Sequence, residues 1–255
     1  MYCEVICTCV SRTGKKRKIN QDNVVIDKVC RNADDRENFD CSYDSMKIDK
    51  MTVFGVFDGL GGCQHGEIAS YIAAKNAART EWSGNIKQQL IRYIDKTNDD
   101  ILHYIKENSL SSMGTTAAIT VIGRKMFFCN IGDSKIFKFS NSKLIQLSFD
   151  HLGTSFGGRK PQLTQCLGIP KNKLILEPYI ISENYKKGDM YIMCSDGLSD
   201  VVDVEEMSNI IKENHFENIC SKLLTAALDN GGTDDISIII LKIKDKRLIN
   251  FKNER

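Results

Sequence analysis

Three prolines in 255 residues, a single tryptophan, four histidines and no uninterrupted apolar run of 18 residues set the first limits on this chain. So few prolines, with no low-complexity tract, leave little room for a disordered linker. Without an 18-residue apolar run no spanning helix is expected, and there is no basic leader followed by an apolar core. The ten cysteines lack paired CxxC knuckles and have no histidines at zinc spacing, so a structural zinc site is not expected. They lie scattered in apolar segments, the pattern of reduced thiols in a cytoplasmic protein. A formal net charge of +2 argues neither for nor against nucleic acid, and no basic cluster is large enough to favour it.

What is present is ordinary globular material: 42% apolar and 27% charged residues, long enough for one sizeable core. Strand-like runs lie near 2–10, 23–29 and 51–57, followed by helical patterns over 66–80 and 85–108. In the second helix Ile86, Leu90, Ile94, Ile101 and Ile105 recur at mostly three- and four-residue steps. Short strands follow at 116–123, 125–132, 135–140, 143–148, 173–182 and 189–195, then helical stretches at 203–213 and 216–229 and a last strand at 235–244. Consecutive strands without a βαβ rhythm imply antiparallel sheets. The expectation is an α+β fold, a four-layer α/β sandwich of two antiparallel sheets flanked by helix pairs, forming one domain over 1–255.

The stretch "VFGVFDGLGG" (53–62) ends an apolar run in Asp58, beside glycines. A tight Asp-Gly turn explains it, and so does a hard-cation ligand at a strand end with exposed backbone nearby. Asp133 in "NIGDSKIF", Asp196 in "YIMCSDGLSD" and Asp234 with Asp235 in "NGGTDDISIII" share the arrangement. If these ends converge they form an all-oxygen cluster suited to Mg²⁺ or Mn²⁺.

"GKKRKINQD", "VFGVFDGLGG", "GTTAAITVI", "NIGDSKIF", "QLSFDH", "LTQCLGI", "CSDGLSD" and "GGTDDISIII" follow one another in an order that resembles the PP2C-like metal-dependent protein serine/threonine phosphatases, in a bacterial-type form. The resemblance runs from about Ser11 to Lys244 and implies the layered sandwich. It implies hydrolysis of phosphoserine and phosphothreonine in proteins by a water activated between two Mn²⁺ or Mg²⁺ ions. Asp58 matches the aspartate bridging the two metals, with the Gly59 carbonyl as a further ligand. Asp196 and Asp234 match carboxylates of the first metal, Asp22 the residue holding metal-bound water, and Asp133 a ligand of a third, weaker ion. Arg17 matches the arginine that grips the substrate phosphate, while Lys15, Lys16 and Lys18 are expected to be solvated. The partners implied are phosphorylated proteins and a cognate Ser/Thr kinase, with no membrane or nucleic acid, for a monomer. The alternative is a catalytically silent phosphoprotein-binding module of the same fold.

The sequence departs from the pattern in three places. Leu60 stands where many members have a histidine, so the general acid is open; His65, nearby, and His151 read as structural residues. Asp235 replaces a usual asparagine. The flap segment at 152–162 is short.

Overall fold

The computed structural model describes residues 2–33, 38–60, 65–155 and 161–245. The chain opens with β1 (Cys3–Arg12), β2 (Asn23–Ile26), β3 (Val29–Cys30), β4 (Phe39–Ile48) and β5 (Thr52–Phe57). Helices α1 (Gly66–Arg79) and α2 (Ile86–Glu107) follow, then β6 (Ala117–Ile122), β7 (Met126–Ile131), β8 (Lys135–Ser140), β9 (Lys143–Gln146), β10 (Tyr179–Glu183) and β11 (Met190–Cys194). The last elements are α3 (Asp196–Ser199), α4 (Val204–Glu213), α5 (Phe216–Asp229) and β12 (Ile236–Asp245).

Two six-stranded sheets result, ordered β4-β1-β12-β11-β8-β9 and β10-β7-β6-β5-β2-β3, with antiparallel pairing between neighbours. Alternation along the strands explains the layers. On β12, Ile239, Leu241 and Ile243 face the second sheet, while Ile236, Ile238 and Ile240 pack with Leu198, Met207, Ile219 and Leu223 of α3–α5. On β5, Phe54 and Val56 face the first sheet, while Val53 and Phe57 pack beneath α1 and α2. Strands buried on both faces read as unbroken apolar runs, which is why they were legible in the sequence.

Two differences from the expected elements stand out. β4 was not anticipated: it is an edge strand with alternating exposed positions and charged or polar side chains, so no apolar run marks it. The expected strand at 173–182 is shorter, because its first half, with Ile175 exposed and Pro178 unable to donate to a ladder, stays outside the sheet.

Alanine sets how closely α1 approaches the second sheet. Ala69, Ala73, Ala74 and Ala77 are fully buried, and the Tyr93 hydroxyl of α2 donates to the Ala73 carbonyl at 2.8 Å. Ala73→Leu has no space to enter and is expected to lower unfolding free energy by about 1–3 kcal/mol. Urea denaturation of the variant measures this; unchanged stability would mean the α1–sheet contact is loose.

Candidate metal and phosphate site

The aspartates sit where strands stop. Asn23 of β2 pairs with Phe57 of β5, so Asp22 and Asp58 lie at adjacent strand ends. Cys194 of β11 lies between Lys135 of β8 and Ile238 of β12, which brings Asp196, Asp133 and Asp234–Asp235 to the same end of the other sheet. Asp196 opens the short helix α3, which the sequence reading did not foresee; four residues are too few for a periodic signal.

Backbone contacts hold Asp58 in place. The Thr116 N–H and the Thr115 hydroxyl both donate to the Asp58 carbonyl at 2.9 Å, and the Asp58 N–H donates to Thr116 Oγ1 at 3.1 Å. Thr116 Oγ1 in turn meets Ser134 Oγ at 2.6 Å, which links Asp58 to the turn carrying Asp133. That turn needs Gly132, at φ +102°, and His151 braces it through Nδ1, 3.2 Å from the Gly132 N–H and carbonyl. His151 is therefore a structural residue, as its sequence context suggested. At Gly59 an added Cβ would lie 2.4 Å from the Gly66 carbonyl and 2.5 Å from that of Gln21, so only glycine lets these three segments meet.

Electrostatically the four carboxylates Asp22, Asp58, Asp133 and Asp196 form one group. Burial, then the nearby Asp196, Asp22 and Asp133, push the Asp58 carboxyl well above the usual range. Burial, then Asp235, push Asp22 up as well, with the Ser195 and Ser237 hydroxyls offsetting part of the rise. Asp22 is 2% exposed, and its Oδ2 is buried without a hydrogen-bond partner. A buried, unsatisfied carboxylate oxygen beside further carboxylates calls for positive charge, and an all-oxygen donor set fits a hard divalent cation.

The arrangement differs from expectation at Asp234. Arg17, expected to face a phosphate, makes a fork to Asp234 instead, with Nε to Oδ1 at 2.7 Å and Nη2 to Oδ2 at 2.8 Å. This pair is partly exposed, and it turns the Asp234 carboxylate toward the guanidinium. Among the described residues no three Asp, Glu, His or Cys side chains stand ready arranged around one ion. Asp58 and Asp196 are together; Asp234 is engaged by Arg17.

The roles of several residues escaped the sequence reading. Asp235, 2% exposed, accepts from the Gly14 N–H at 3.0 Å and the Gln21 N–H at 2.8 Å, so it ties down both ends of the segment bearing Arg17. The buried Arg31 donates to the carbonyls of Asp22 at 2.9 Å and Asn20 at 3.2 Å, and Asn20 Oδ1 accepts from the Asp22 N–H at 3.0 Å. Gly14 packs against Asp234: a Cβ there would lie 2.0 Å from its carbonyl oxygen. Only the turn-type Gly and Asn beside the motif hinted at these roles. Lys16 and Lys18 are exposed as expected, whereas Lys15, also exposed, caps α5 through the Leu228 carbonyl. His65 stands at φ +53° before α1 and pairs with Glu67 at 3.3 Å. Leu60 packs by Gly114, with its N–H bonded to the Gly114 carbonyl at 3.0 Å. Gly61, Gly62 and residues 156–160 of the flap lie outside the described residues.

Comparison with known proteins agrees with this architecture. The chain spans 40% of the length of "Serine/threonine protein phosphatase PstP" of Mycobacterium tuberculosis, with 27% identity over 203 residues, 74% of this chain. It is 27% identical over 218 residues to "Serine/threonine phosphatase stp" of Listeria innocua, covering 76% of this chain and 85% of that one. The structure of the PstP catalytic domain in complex with two manganese ions superposes with a TM-score of 0.74 at 22% identity, covering 95% of this chain and 100% of that one, a likeness of fold. The family description "Protein phosphatase 2C" matches residues 23–157, a span that holds Asp58, Gly59 and Asp133, with Arg17, Asp22, Asp196 and Asp234 on either side of it. With over half of its length matched and the same sandwich beneath the match, this chain belongs to the Protein phosphatase 2C family.

Proposed function

We propose that this chain is a Mn²⁺- or Mg²⁺-dependent phosphatase acting on phosphoserine and phosphothreonine in proteins, working as one monomeric domain over 1–255 in the cytoplasm. The observation that carries the reading is that Asp22, Asp58, Asp133 and Asp196 stand at strand ends, with Asp196, Asp22 and Asp133 all within electrostatic reach of Asp58 and with Asp22 Oδ2 buried and unpartnered. Asp58, Asp196 and the Gly59 carbonyl would hold two ions, joined by Asp234 once Arg17 leaves it, and Asp133 a third, weaker one. Bound there, divalent cations would supply the positive charge that phosphoryl transfer needs and would acidify a water to a nucleophile.

The protein's own groups do the rest. Asp22 Oδ2 accepts a hydrogen bond from the attacking water and orients it. The Arg17 guanidinium, 30% exposed, swings from Asp234 to the phosphate oxygens, for which its planar fork is equally suited. Asp235 and Arg31 keep the backbone between residues 14 and 22 in register. Water adds to phosphorus, the P–O bond to the side chain breaks, and the departing alkoxide takes a proton. Phosphorylated proteins, and the substrates of a cognate Ser/Thr kinase, are the partners this chemistry serves.

Hydrolysis of a phosphothreonine peptide and of an aryl phosphate, each with Mn²⁺, Mg²⁺ or EDTA, tests the reading. Turnover with either metal and none in EDTA is expected; no turnover under any condition would leave the silent binding module. Asp133→Ala probes the leaving-group proton. With Leu60 in place of a histidine, no imidazole stands at that position, so loss of Asp133 is expected to slow the peptide about tenfold more than the aryl phosphate, whose leaving group is acidic. Equal losses on the two substrates, or none on either, would count against that role.

A further inference from the structure

Outside the carboxylate group, two thiols face each other across a strand pair. Cys9 of β1 lies directly opposite Cys41 of the edge strand β4, and both side chains point into the layer between the sheets. Directly opposed residues on antiparallel strands have Cα atoms about 4.5–5.5 Å apart, inside the roughly 4.4–6.8 Å range that a disulfide spans. In that register each thiol is the other's direct cross-strand neighbour, close enough to affect its ionisation. Their surroundings differ: Cys9 is 1% exposed, whereas Cys41 is partly accessible at the sheet edge. We propose that Cys9 and Cys41 form a dithiol that peroxides oxidise to a disulfide, with Cys41 attacking and Cys9 resolving.

The asymmetry sets the order of events. Interaction with the neighbouring Cys9 thiol lowers the Cys41 thiol below its ordinary range, while burial raises Cys9 well above it. The thiolate, the nucleophile of thiol chemistry, therefore forms on Cys41. Cys41 sulfur attacks the peroxide O–O bond, giving a sulfenic acid and releasing one water from hydrogen peroxide. Cys9 sulfur then displaces the hydroxyl from Cys41 sulfur, releasing the second water and closing the S–S bond. Two thiols are oxidised by two electrons and the peroxide is reduced by two. The other partly exposed described thiol, Cys30, is raised by burial and has no cysteine opposite it, since its partner in the ladder is Val25. Cys7, two residues along β1, faces Tyr43. A Cys9–Cys41 link would clamp β4 to β1 and close a covalent loop around Arg17 and Asp22.

The test treats the reduced, metal-free full chain with hydrogen peroxide, alkylates the remaining thiols and maps peptides without reductant. A species two hydrogens lighter is expected, with fragment spectra placing the link between Cys9 and Cys41, reversed by dithiothreitol. Cys41→Ser should abolish the link, and Cys7→Ser and Cys30→Ser should leave it. Alkylation of the folded wild type by iodoacetamide needs no variant: Cys41 should react at least about tenfold faster than Cys30, in line with its thiolate fraction and access. Oxidation of Cys41 without a link, a link through Cys7 or Cys220, or a Cys41 no more reactive than Cys30 would overturn the proposal.

Discussion

Asp58→Asn is expected to abolish nearly all turnover, by about 10²–10³-fold or more at saturating Mn²⁺, the scale on which a preorganised charge acts on a transition state. The side chain keeps its size and loses its charge at the centre of the carboxylate group, where Asp196, Asp22 and Asp133 all act on it. The backbone of residue 58 is held by Thr115 and Thr116 whatever the side chain, so the fold should survive. Mutual repulsion among the carboxylates falls, so the metal-free melting temperature should not drop. Titration calorimetry with Mn²⁺ and a thermal melt in EDTA measure both parts. Retention of a tenth of the activity, or unchanged Mn²⁺ affinity, would remove Asp58 from the metal site.

Arg17→Ala separates two jobs that the structure gives to one guanidinium. As a phosphate grip its loss should lower kcat/KM by about 10²-fold, mostly through KM, as when a charge-assisted contact is deleted. As the partner of Asp234 its loss should act in the opposite direction on the metal: the freed carboxylate should bind Mn²⁺ more tightly, shifting the activation curve to lower concentration. Exposed Lys16 offers the control, since Lys16→Ala should change little beyond salt dependence. An equal loss from Lys16→Ala would mean that the 14–18 segment works as a diffuse basic patch.

The sequence by itself determined the layers and the candidate ligands. Ile238–Leu241 and Val53–Phe57 are apolar on both faces because each strand is covered twice, and α2 declares itself through Ile86, Leu90, Ile94 and Ile101 on one buried stripe. Asp58 beside Gly59, Asp133 after Gly132 and Asp196 before Gly197 could be picked out because a carboxylate at the end of an apolar strand is a local pattern. What tertiary structure alone decided is who meets whom. Asp234 and Arg17 are 217 residues apart, and nothing in either motif states that they pair with each other. The role of Asp235 toward Gly14 and Gln21 rests on segments joined only by the tertiary fold, and that of Arg31 toward Asp22 on the pairing of β2 with β3. The edge strand β4 was likewise settled by its partner: Cys41 and Phe39 pair with β1 through backbone hydrogen bonds that carry no side-chain signature. Hydrophobic periodicity records burial, which is local to a strand; charge pairing and backbone accommodation depend on which distant chain ends the packed sheets bring within a few ångströms.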